Sequence, residues 1–238
     1  MPNNFFQFKQ FKVTQKEVGM KVTTEGCLFG AWVCQNIASK PQRVLDIGTG
    51  SGLLSLMLAQ ETPESKIIAI DINIDAYEEA KNNFLNSPWA KRLKAENVAV
   101  QELISDKEFD LIICNPPFYS ANQKGKDENK NQAMHDDSLT IKELALAIKK
   151  HLNKSGSVWV LYPEYEMELF TSEMKNVGLN VISKVLIRNK PNGPIIRVFS
   201  QFGFHKAEIT IQDLSIRNGD QEYSESFINL LQKFYLHL

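Results

Sequence analysis

The stretch Arg43-Val44-Leu45-Asp46-Ile47-Gly48-Thr49-Gly50-Ser51-Gly52-Leu53-Leu54 passes from an apolar segment through three glycines into a second apolar segment. The branched residues before the glycines predict a buried strand, Arg43–Ile47, and the leucines after them predict a helix that begins near Leu53. Glycine permits positive φ and close approach to the backbone, and a helix N-terminus offers unpaired N–H groups. We therefore predict a strand, a turn and a helix, with a ligand bound on the turn.

Elements of the same two kinds alternate along the chain. Short branched apolar runs bounded by Gly, Pro or Asp predict buried parallel strands at Val44–Ile47, Ile67–Ile70, Leu111–Cys114 and Val158–Leu161. Apolar residues at helical spacing predict helices at Leu53–Glu61, Ile74–Leu85 and Ile141–Leu152. Because strands and helices alternate, we expect an α/β fold with a Rossmann-like, doubly wound sheet of seven strands, mainly parallel.

The last third of the chain has a different pattern. Val181–Arg188 and Ile195–Phe204 flank a turn rich in Pro and Gly, which predicts a C-terminal antiparallel hairpin at the sheet edge. A short apolar stretch, Ile209–Ile216, and a closing helix from about Ser224 to Phe234 follow it.

Composition limits the class of protein. The chain has 238 residues, 43% of them apolar, which suffices for one α/β domain, and its 27 basic and 28 acidic residues create no global positive field for nucleic acid. The cysteines Cys27, Cys34 and Cys114 fit neither a disulfide framework nor a structural zinc site. The chain shows no signal-peptide pattern and no run of about 18 apolar residues. We expect a soluble, cytoplasmic protein, without metal, that acts as a monomer or associates weakly.

An acid after the second strand indicates what binds on the turn. Asp71 follows Ile67–Ile70 close to the roughly 20-residue offset from the glycines at which an acid receives ribose hydroxyls. A dinucleotide and S-adenosylmethionine both carry that ribose. Asp46 precedes the first glycine, and an acid there would repel a pyrophosphate but suits the cationic amine and sulfonium of S-adenosylmethionine. We therefore favour S-adenosylmethionine over a dinucleotide or an empty turn.

A second motif, Asn115-Pro116-Pro117-Phe118, follows the Phe109–Cys114 strand. Ligands of open α/β sheets bind at that end of the strands. Two prolines hold an extended turn, so the Asn115 amide oxygen and the Pro116 carbonyl can both accept hydrogen bonds from one –NH₂ group. Phe118, with Tyr119, can stack on the ring that carries the amine. The alternative is a turn that ends the strand and packs Phe118 in the core.

Together the two motifs resemble the class I methyltransferase superfamily. Over nearly its full length the chain is similar to the bacterial enzymes that methylate the N6 amine of an adenosine in the anticodon loop of valine tRNA. The stretches that carry this resemblance include Phe8-Lys9-Gln10-Phe11, Thr24-Glu25-Gly26, Gly30-Ala31-Trp32, Ser87-Pro88-Trp89-Ala90, Asn115-Pro116-Pro117-Phe118-Tyr119, Pro163-Glu164, Tyr223-Ser224-Glu225 and Phe234-Tyr235-Leu236.

The resemblance implies roles for individual residues. The cofactor-binding set comprises Lys21, Thr24, Asp46, Gly48, Gly50, Gly52, Asp71, Ile72, Asn97 and Val100. The catalytic set at the target adenine comprises Asn115, Pro116, Pro117 and Phe118. Lys21 and Thr24 would help to close the cofactor pocket. This chain has Ala99 where the family usually has an aspartate that holds the cofactor adenine, so we expect the backbone or neighbours such as Asn97 and Val100 to hold it.

Basic and aromatic residues are candidates to bind RNA. The substrate-binding set comprises Phe118, Tyr119, Lys9, Lys124, Arg188 and Arg197. A solvated basic face over an apolar N-terminal anchor explains Lys9 almost equally well. Lys124 belongs to the polar stretch 120–132, whose low hydrophobicity predicts a mobile loop. His135-Asp136-Asp137 resembles a metal or base cluster but fits a helix cap better.

The resulting hypothesis is an S-adenosylmethionine-dependent N-methyltransferase that modifies adenosine 37 of valine tRNA. Residues 1–238 would form one class I methyltransferase domain, in which residues 1–40 close the cofactor pocket and contact RNA and residues 41–238 are the catalytic core. Alternatives are a methyltransferase for another amine (protein glutamine, rRNA guanine or DNA adenine), a non-catalytic S-adenosylmethionine-binding module, and a dehydrogenase.

Overall fold

The computed structural model describes residues 4–16, 21–37, 40–116, 139–220 and 222–238. In these ranges the strands are β1 (Phe5–Gln7), β2 (Lys12–Thr14), β3 (Arg43–Ile47), β4 (Lys66–Asp71), β5 (Leu93–Asn97), β6 (Phe109–Cys114), β7 (Leu152–Tyr162), β8 (Asn180–Arg188), β9 (Ile195–Gly203) and β10 (Thr210–Ser215). The helices are α1 (Thr24–Asn36), α2 (Leu53–Glu61), α3 (Ile74–Leu85), α4 (Ile141–His151), α5 (Glu164–Asn176) and α6 (Glu225–Leu231). A short 3₁₀ turn at Ala90–Arg92 precedes β5.

The central sheet has eight strands in the order β10-β8-β9-β7-β6-β3-β4-β5. Strand β9 pairs antiparallel with β7 and β8, and the other pairs in the sheet are parallel. The predicted α/β, mainly parallel architecture is confirmed, as are the four buried strands and the antiparallel pairing of β8 with β9.

Two details of the prediction are wrong. The sheet has eight strands instead of seven, and the β8–β9 hairpin is not at the sheet edge, because β10 pairs in parallel with β8 outside it. Residues Thr210 to Asp213 are exposed, whereas Leu214 is buried. An edge strand with so few buried side chains lacks the continuous apolar run by which the inner parallel strands were recognised.

Side chains of the inner strands alternate between two apolar cores because successive residues of a strand point to opposite faces. Leu111 and Ile113 of β6 belong to the core that includes α1, α2 and α6. Ile112 and Cys114 belong to the core that includes α4 and α5. This burial on both faces fixes the register of β3 and β6, and with it the point at which the chain leaves the sheet after each strand.

The parallel strands β3, β4, β6 and β7 all end on one side of the sheet, which we call the carboxyl edge, and begin on the other, the amino edge. A separate two-stranded hairpin, β1–β2, packs outside the sheet, where Phe8 pairs with Tyr235 and Thr14 hydrogen-bonds to α3. Within the described ranges, no helix combines the length and apolarity needed to cross a membrane.

Candidate functional site

Three of the predicted motifs meet at the carboxyl edge. The glycine loop, residues 48–52, follows β3, Asp71 ends β4, and Asn115 follows β6. Strand β3 lies between the other two, with Ile47 opposite both Ile70 and Cys114. The glycine loop therefore lies between Asp71 on one side and Asn115 on the other.

The three glycines of the loop meet different surroundings. Gly48, Gly50 and Gly52 have φ values of 69°, 56° and 82°, a left-handed conformation that other residues rarely adopt. A Cβ added at Gly48 or Gly50 would have no atom within 4 Å, so these two face open space. A Cβ at Gly52 would lie 2.5 Å from the Phe84 ring of α3. The first two glycines can thus border a ligand, while the third allows α2 and α3 to pack closely.

Asp71 links the glycine loop to the end of β4. Its Oδ2 accepts a hydrogen bond from the Gly50 amide at 2.9 Å, and its Oδ1 accepts one from the Asn73 amide at 3.0 Å. The Asn97 side chain donates to the carbonyls of Asp71 at 2.8 Å and Ile72 at 3.0 Å. The carboxylate is half-buried and keeps further acceptor capacity, so it can receive hydroxyl groups beside the loop.

Asp46 lies beneath the loop instead of on its open surface. It is fully buried, and its Oδ2 accepts hydrogen bonds of 2.7 Å from both Thr49 and Ser55. Burial raises the pKa of this carboxyl group from 3.8 to about 6, although the two hydroxyl donors oppose that rise. Asp46 therefore orients the turn from inside, where its charge lies close to any ligand on the loop.

The beginning of α1 borders the second motif. Thr23 caps the helix by accepting from the Gly26 amide at 3.0 Å, and a Cβ at Gly26 would lie 3.9 Å from Asn115 Nδ2. Thr24 is half-buried and Lys21 is exposed. Asn115 is half-buried and Pro116 is buried, whereas Pro117, Phe118, Tyr119, Lys124 and His135 lie outside the described residues.

Two of the other predicted cofactor-binding residues differ in exposure. Ile72 is an exposed apolar side chain beside Asp71. Val100 is 3% exposed and packs in the core that includes α4 and α5, so its side chain does not face solvent. The structure brings Ile72 and Asn97 together at the end of β4.

The described basic residues among those predicted to bind RNA fall in two places. The β8–β9 turn projects from the carboxyl edge, since Val198 of β9 pairs with Tyr162 at the end of β7. Arg188 and Arg197 flank that turn, and Arg188 pairs with Asp213 at 2.6 Å. Lys9 instead lies against the C-terminal segment, where its ammonium group donates to the Gln232 carbonyl at 2.6 Å.

Three contributors escaped the sequence analysis. Thr49 and Ser55 hold Asp46, and the buried Asn83 of α3 donates to the Ser51 carbonyl of the loop at 2.8 Å. The sequence could have indicated a role for Asn83, because it places an amide among the apolar positions of an amphipathic helix, where a buried polar group needs hydrogen-bond partners. In the part of the chain that the structure describes, no cluster of three or more His, Cys, Asp or Glu side chains could hold a metal ion.

Comparisons with known proteins place these features in context. Residues 31–168 match the family described as the methyltransferase small domain. The tRNA1(Val) (adenine(37)-N6)-methyltransferase of Cytophaga hutchinsonii is 38% identical over 245 residues, which cover 100% of both chains. A predicted O-methyltransferase from Agrobacterium tumefaciens has a similar fold, with a TM-score of 0.65 at 14% identity over 87% of this chain and 95% of that one. The glycopeptide N-methyltransferase MtfA, solved with S-adenosyl-L-methionine, gives a TM-score of 0.56 at 11% identity over 76% of this chain and 94% of that one.

The raised pKa of Asp46 predicts a specific pH dependence of stability. Between about pH 4 and pH 6 the folded protein keeps a proton on Asp46 that the unfolded chain has lost, so this group makes stability fall as pH rises through that window. We expect the unfolding free energy of the ligand-free protein, relative to Asp46→Asn, to fall by about 3 kcal/mol across the window. Urea unfolding at several pH values measures it, and a difference independent of pH would contradict the assignment.

The two constraints on Gly52 predict unequal effects of the same substitution at two glycines. Gly52→Ala imposes both an unfavourable φ and a clash with Phe84, whereas Gly178→Ala, at φ 87° with open space around it, imposes only the first. We expect thermal or urea unfolding to show losses of about 3 kcal/mol and about 1 kcal/mol respectively. Equal losses would show that the Phe84 contact does not restrict residue 52.

Proposed function

The chain belongs to the tRNA1(Val) (adenine(37)-N6)-methyltransferase family, and we propose that it performs this reaction with the residues at the carboxyl edge of its sheet. It is an S-adenosylmethionine-dependent N-methyltransferase that modifies the N6 amine of adenosine 37 in valine tRNA. The observation that carries the residue-level proposal is the position of the glycine loop, between Asp71 on one neighbouring strand and Asn115 on the other.

The donor half of the site fits S-adenosylmethionine. Bound there, this cofactor supplies an electrophilic methyl group on a positively charged sulfur. The open faces of Gly48 and Gly50 leave room against the backbone, and Asp71 presents a half-buried carboxylate for ribose hydroxyls. Asp46 adds a fixed negative charge beneath the loop that favours a cationic ligand.

Further residues complete the proposed donor site. Ile72 offers an apolar surface for the adenine ring, and Asn97 holds the backbone on which Ile72 is presented. Val100 shapes this region from within the core, and Gly52 lets α2 begin close to the loop. Lys21 and Thr24 precede and begin α1, which borders Asn115, so they are placed to close the pocket from the acceptor side.

The acceptor half of the site orients the target amine. We propose that the Asn115 amide oxygen and the Pro116 carbonyl accept hydrogen bonds from the two N6 hydrogens. Adenine's amine is a poor nucleophile because its lone pair is delocalised into the ring. Two fixed acceptors favour a more tetrahedral nitrogen and aim its lone pair at the methyl group. Once the nitrogen is alkylated its proton is acidic and leaves to water, so no dedicated general base is required.

The tRNA must present its adenosine to this edge. We propose that the base leaves its stack, as base-modifying enzymes require, and that Pro117, Phe118 and Tyr119 hold its ring. Arg188 and Arg197 flank a turn on the same edge and would contact the phosphate backbone, with Lys9 and Lys124 as further cations. Residues 188–197 contain three basic residues, Arg188, Lys190 and Arg197, and no acidic one. Asp213 of β10 pairs with Arg188, so Lys190 and Arg197 supply most of the local positive charge in a chain of net charge −1.

The remaining parts of the proposal concern the protein as a whole. We propose that residues 1–238 act as one methyltransferase domain, with residues 1–40 closing the pocket and contacting RNA and residues 41–238 forming the core. Donor and acceptor residues come from one edge of one chain, which supports a monomer. The tRNA substrate named for the relatives supports a cytoplasmic location.

Labelled S-adenosylmethionine tests the substrate directly. Purified protein is incubated in parallel with valine tRNA, the same tRNA carrying uridine at position 37, duplex DNA and a release factor. We expect label only in the unaltered tRNA, recovered as N6-methyladenosine on digestion. Label that appears only in protein or in DNA would overturn the proposed substrate, and binding of NAD without binding of the donor would overturn the methyltransferase itself.

Asn115→Ala tests the acceptor role. Removing one of two fixed acceptors for the amine should lower kcat by about 100-fold or more. The dissociation constant of S-adenosylmethionine, measured by calorimetry, should change little because the donor residues are untouched. Asn86→Ala, at an exposed position just after α3, serves as the control and should retain full turnover. A kcat for Asn115→Ala close to that of the unmodified protein would exclude the proposed role.

Arg197→Gln tests the proposed RNA contact. Loss of one phosphate contact should raise KM for tRNA, leave kcat largely unchanged and reduce the slope of log affinity against log salt by about 1. Lys66→Gln removes an exposed charge at the amino edge and should leave all three quantities unchanged. If both variants respond alike, the effect reflects net charge and the assignment of Arg197 fails.

A further inference from the structure

Asn83 is a buried amide on the inner face of α3, where it contacts the glycine loop and β2. It is 3% exposed, and Phe84 beside it closes the space around Gly52. Its Nδ2 donates to the Ser51 carbonyl at 2.8 Å and to the Thr14 carbonyl at 2.9 Å. Its Oδ1 accepts from the Thr14 amide at 2.9 Å and lies 2.7 Å from the Thr14 hydroxyl. Both amide hydrogens and the amide oxygen are thus engaged, which fixes the orientation of the side chain.

These bonds join two segments that are far apart in sequence. Ser51 belongs to the glycine loop, whereas Thr14 ends β2 of the N-terminal hairpin. The loop carbonyl that Asn83 binds is buried, because Ser51 is 5% exposed, and without that donor it would lose its partner away from water. One side chain therefore satisfies the glycine loop and the N-terminal strand at the same time.

The attachment of β2 extends beyond Thr14. Glu79, one turn before Asn83 on α3, accepts from the Lys16 amide at 3.1 Å and also bonds the Thr14 hydroxyl. Gln15 accepts from the Val22 amide at 2.8 Å, just before α1 begins beside Asn115. Thr14 and Lys16 are thereby connected to the glycine loop through α3, and Gln15 connects the same strand end to Val22.

We propose that Asn83 is a positioning residue that couples donor binding to the placement of the N-terminal strand β2. The inference rests on the proposed function only in that the ligand of the glycine loop is S-adenosylmethionine. A ligand that holds the loop in one conformation holds the Ser51 carbonyl against Asn83, and Asn83 in turn holds Thr14. By linkage, an ordered β2 strengthens donor binding to the same extent as the donor stabilises β2.

Asn83→Asp tests this coupling with little change in shape. The carboxylate keeps the acceptor for Thr14 but places an oxygen opposite the Ser51 and Thr14 carbonyls, where the amide had donors. We expect the dissociation constant and KM of S-adenosylmethionine to rise about tenfold or more, with kcat at saturating donor changed less than about threefold. Calorimetry measures binding without any RNA.

Two controls separate coupling from general destabilisation. Asn82→Asp makes the same chemical change at the neighbouring exposed position of α3 and should leave donor affinity unchanged. Phe170→Leu loosens the core of the opposite layer and should lower stability without weakening donor binding. If Asn83→Asp folds and binds the donor as tightly as the unmodified protein, or if Phe170→Leu weakens binding equally, the proposal is overturned.

Hydrogen exchange in the unmodified protein gives an independent readout should Asn83→Asp fail to fold. S-adenosylmethionine should slow exchange of the Thr14 amide, which donates to Asn83, and leave the amino-edge residue Lys66 unaffected. No slowing at Thr14 when the donor is bound would overturn the coupling. Absence of donor binding altogether would instead refute the proposed function, so the two failures are distinguishable.

Discussion

The geometry of the carboxyl edge depends on the turn after β3, which is built over the buried carboxylate of Asp46. Asp46 cannot reach water, so its charge must be met by nearby donors, and Thr49 within the turn and Ser55 in α2 supply them. Those two hydrogen bonds bring the first turn of α2 back towards β3. The left-handed glycines then make this path possible, and Gly48 and Gly50 leave open faces outward, where a ligand can approach the backbone.

The elements that could be predicted from sequence are those whose apolar residues form a regular helical pattern or a continuous buried run. The proposed bounds of α2 and α3, Leu53–Glu61 and Ile74–Leu85, agree with the structure, and the inner strands β3, β4, β6 and β7 contain the runs identified for them. Strand β10 was not recognised as part of the sheet, because an exposed edge strand needs backbone hydrogen bonds more than apolar side chains. Its existence follows from the unpaired side of β8, which only the folded structure reveals.

The candidate site, like the fold, could be predicted from sequence only in part. That the glycine loop, Asp71 and Asn115 lie on one edge could be foreseen, since the ends of parallel strands meet there. Whether a given side chain faces the ligand could not. Asp46 and Gly52 were predicted alike with their neighbours, yet the structure buries Asp46 beneath the loop and packs Gly52 against Phe84. Burial of this kind is set by α2 and α3 together, and local sequence does not describe that packing.

Donor and acceptor functions make different demands on the two sides of β3. On the donor side the glycine loop is held at several points, because Asp46, Asp71 and Asn83 each bind it through separate hydrogen bonds. Each of these bonds lowers the cost of ordering the loop for a ligand, and the bond through Asn83 also depends on where Thr14 of β2 lies. The acceptor side needs only two fixed oxygens for a planar amine, a geometry that many amines would satisfy. Selectivity for one adenosine must then come from surfaces that hold the rest of the RNA, and the basic β8–β9 turn on the same edge is the surface proposed for this.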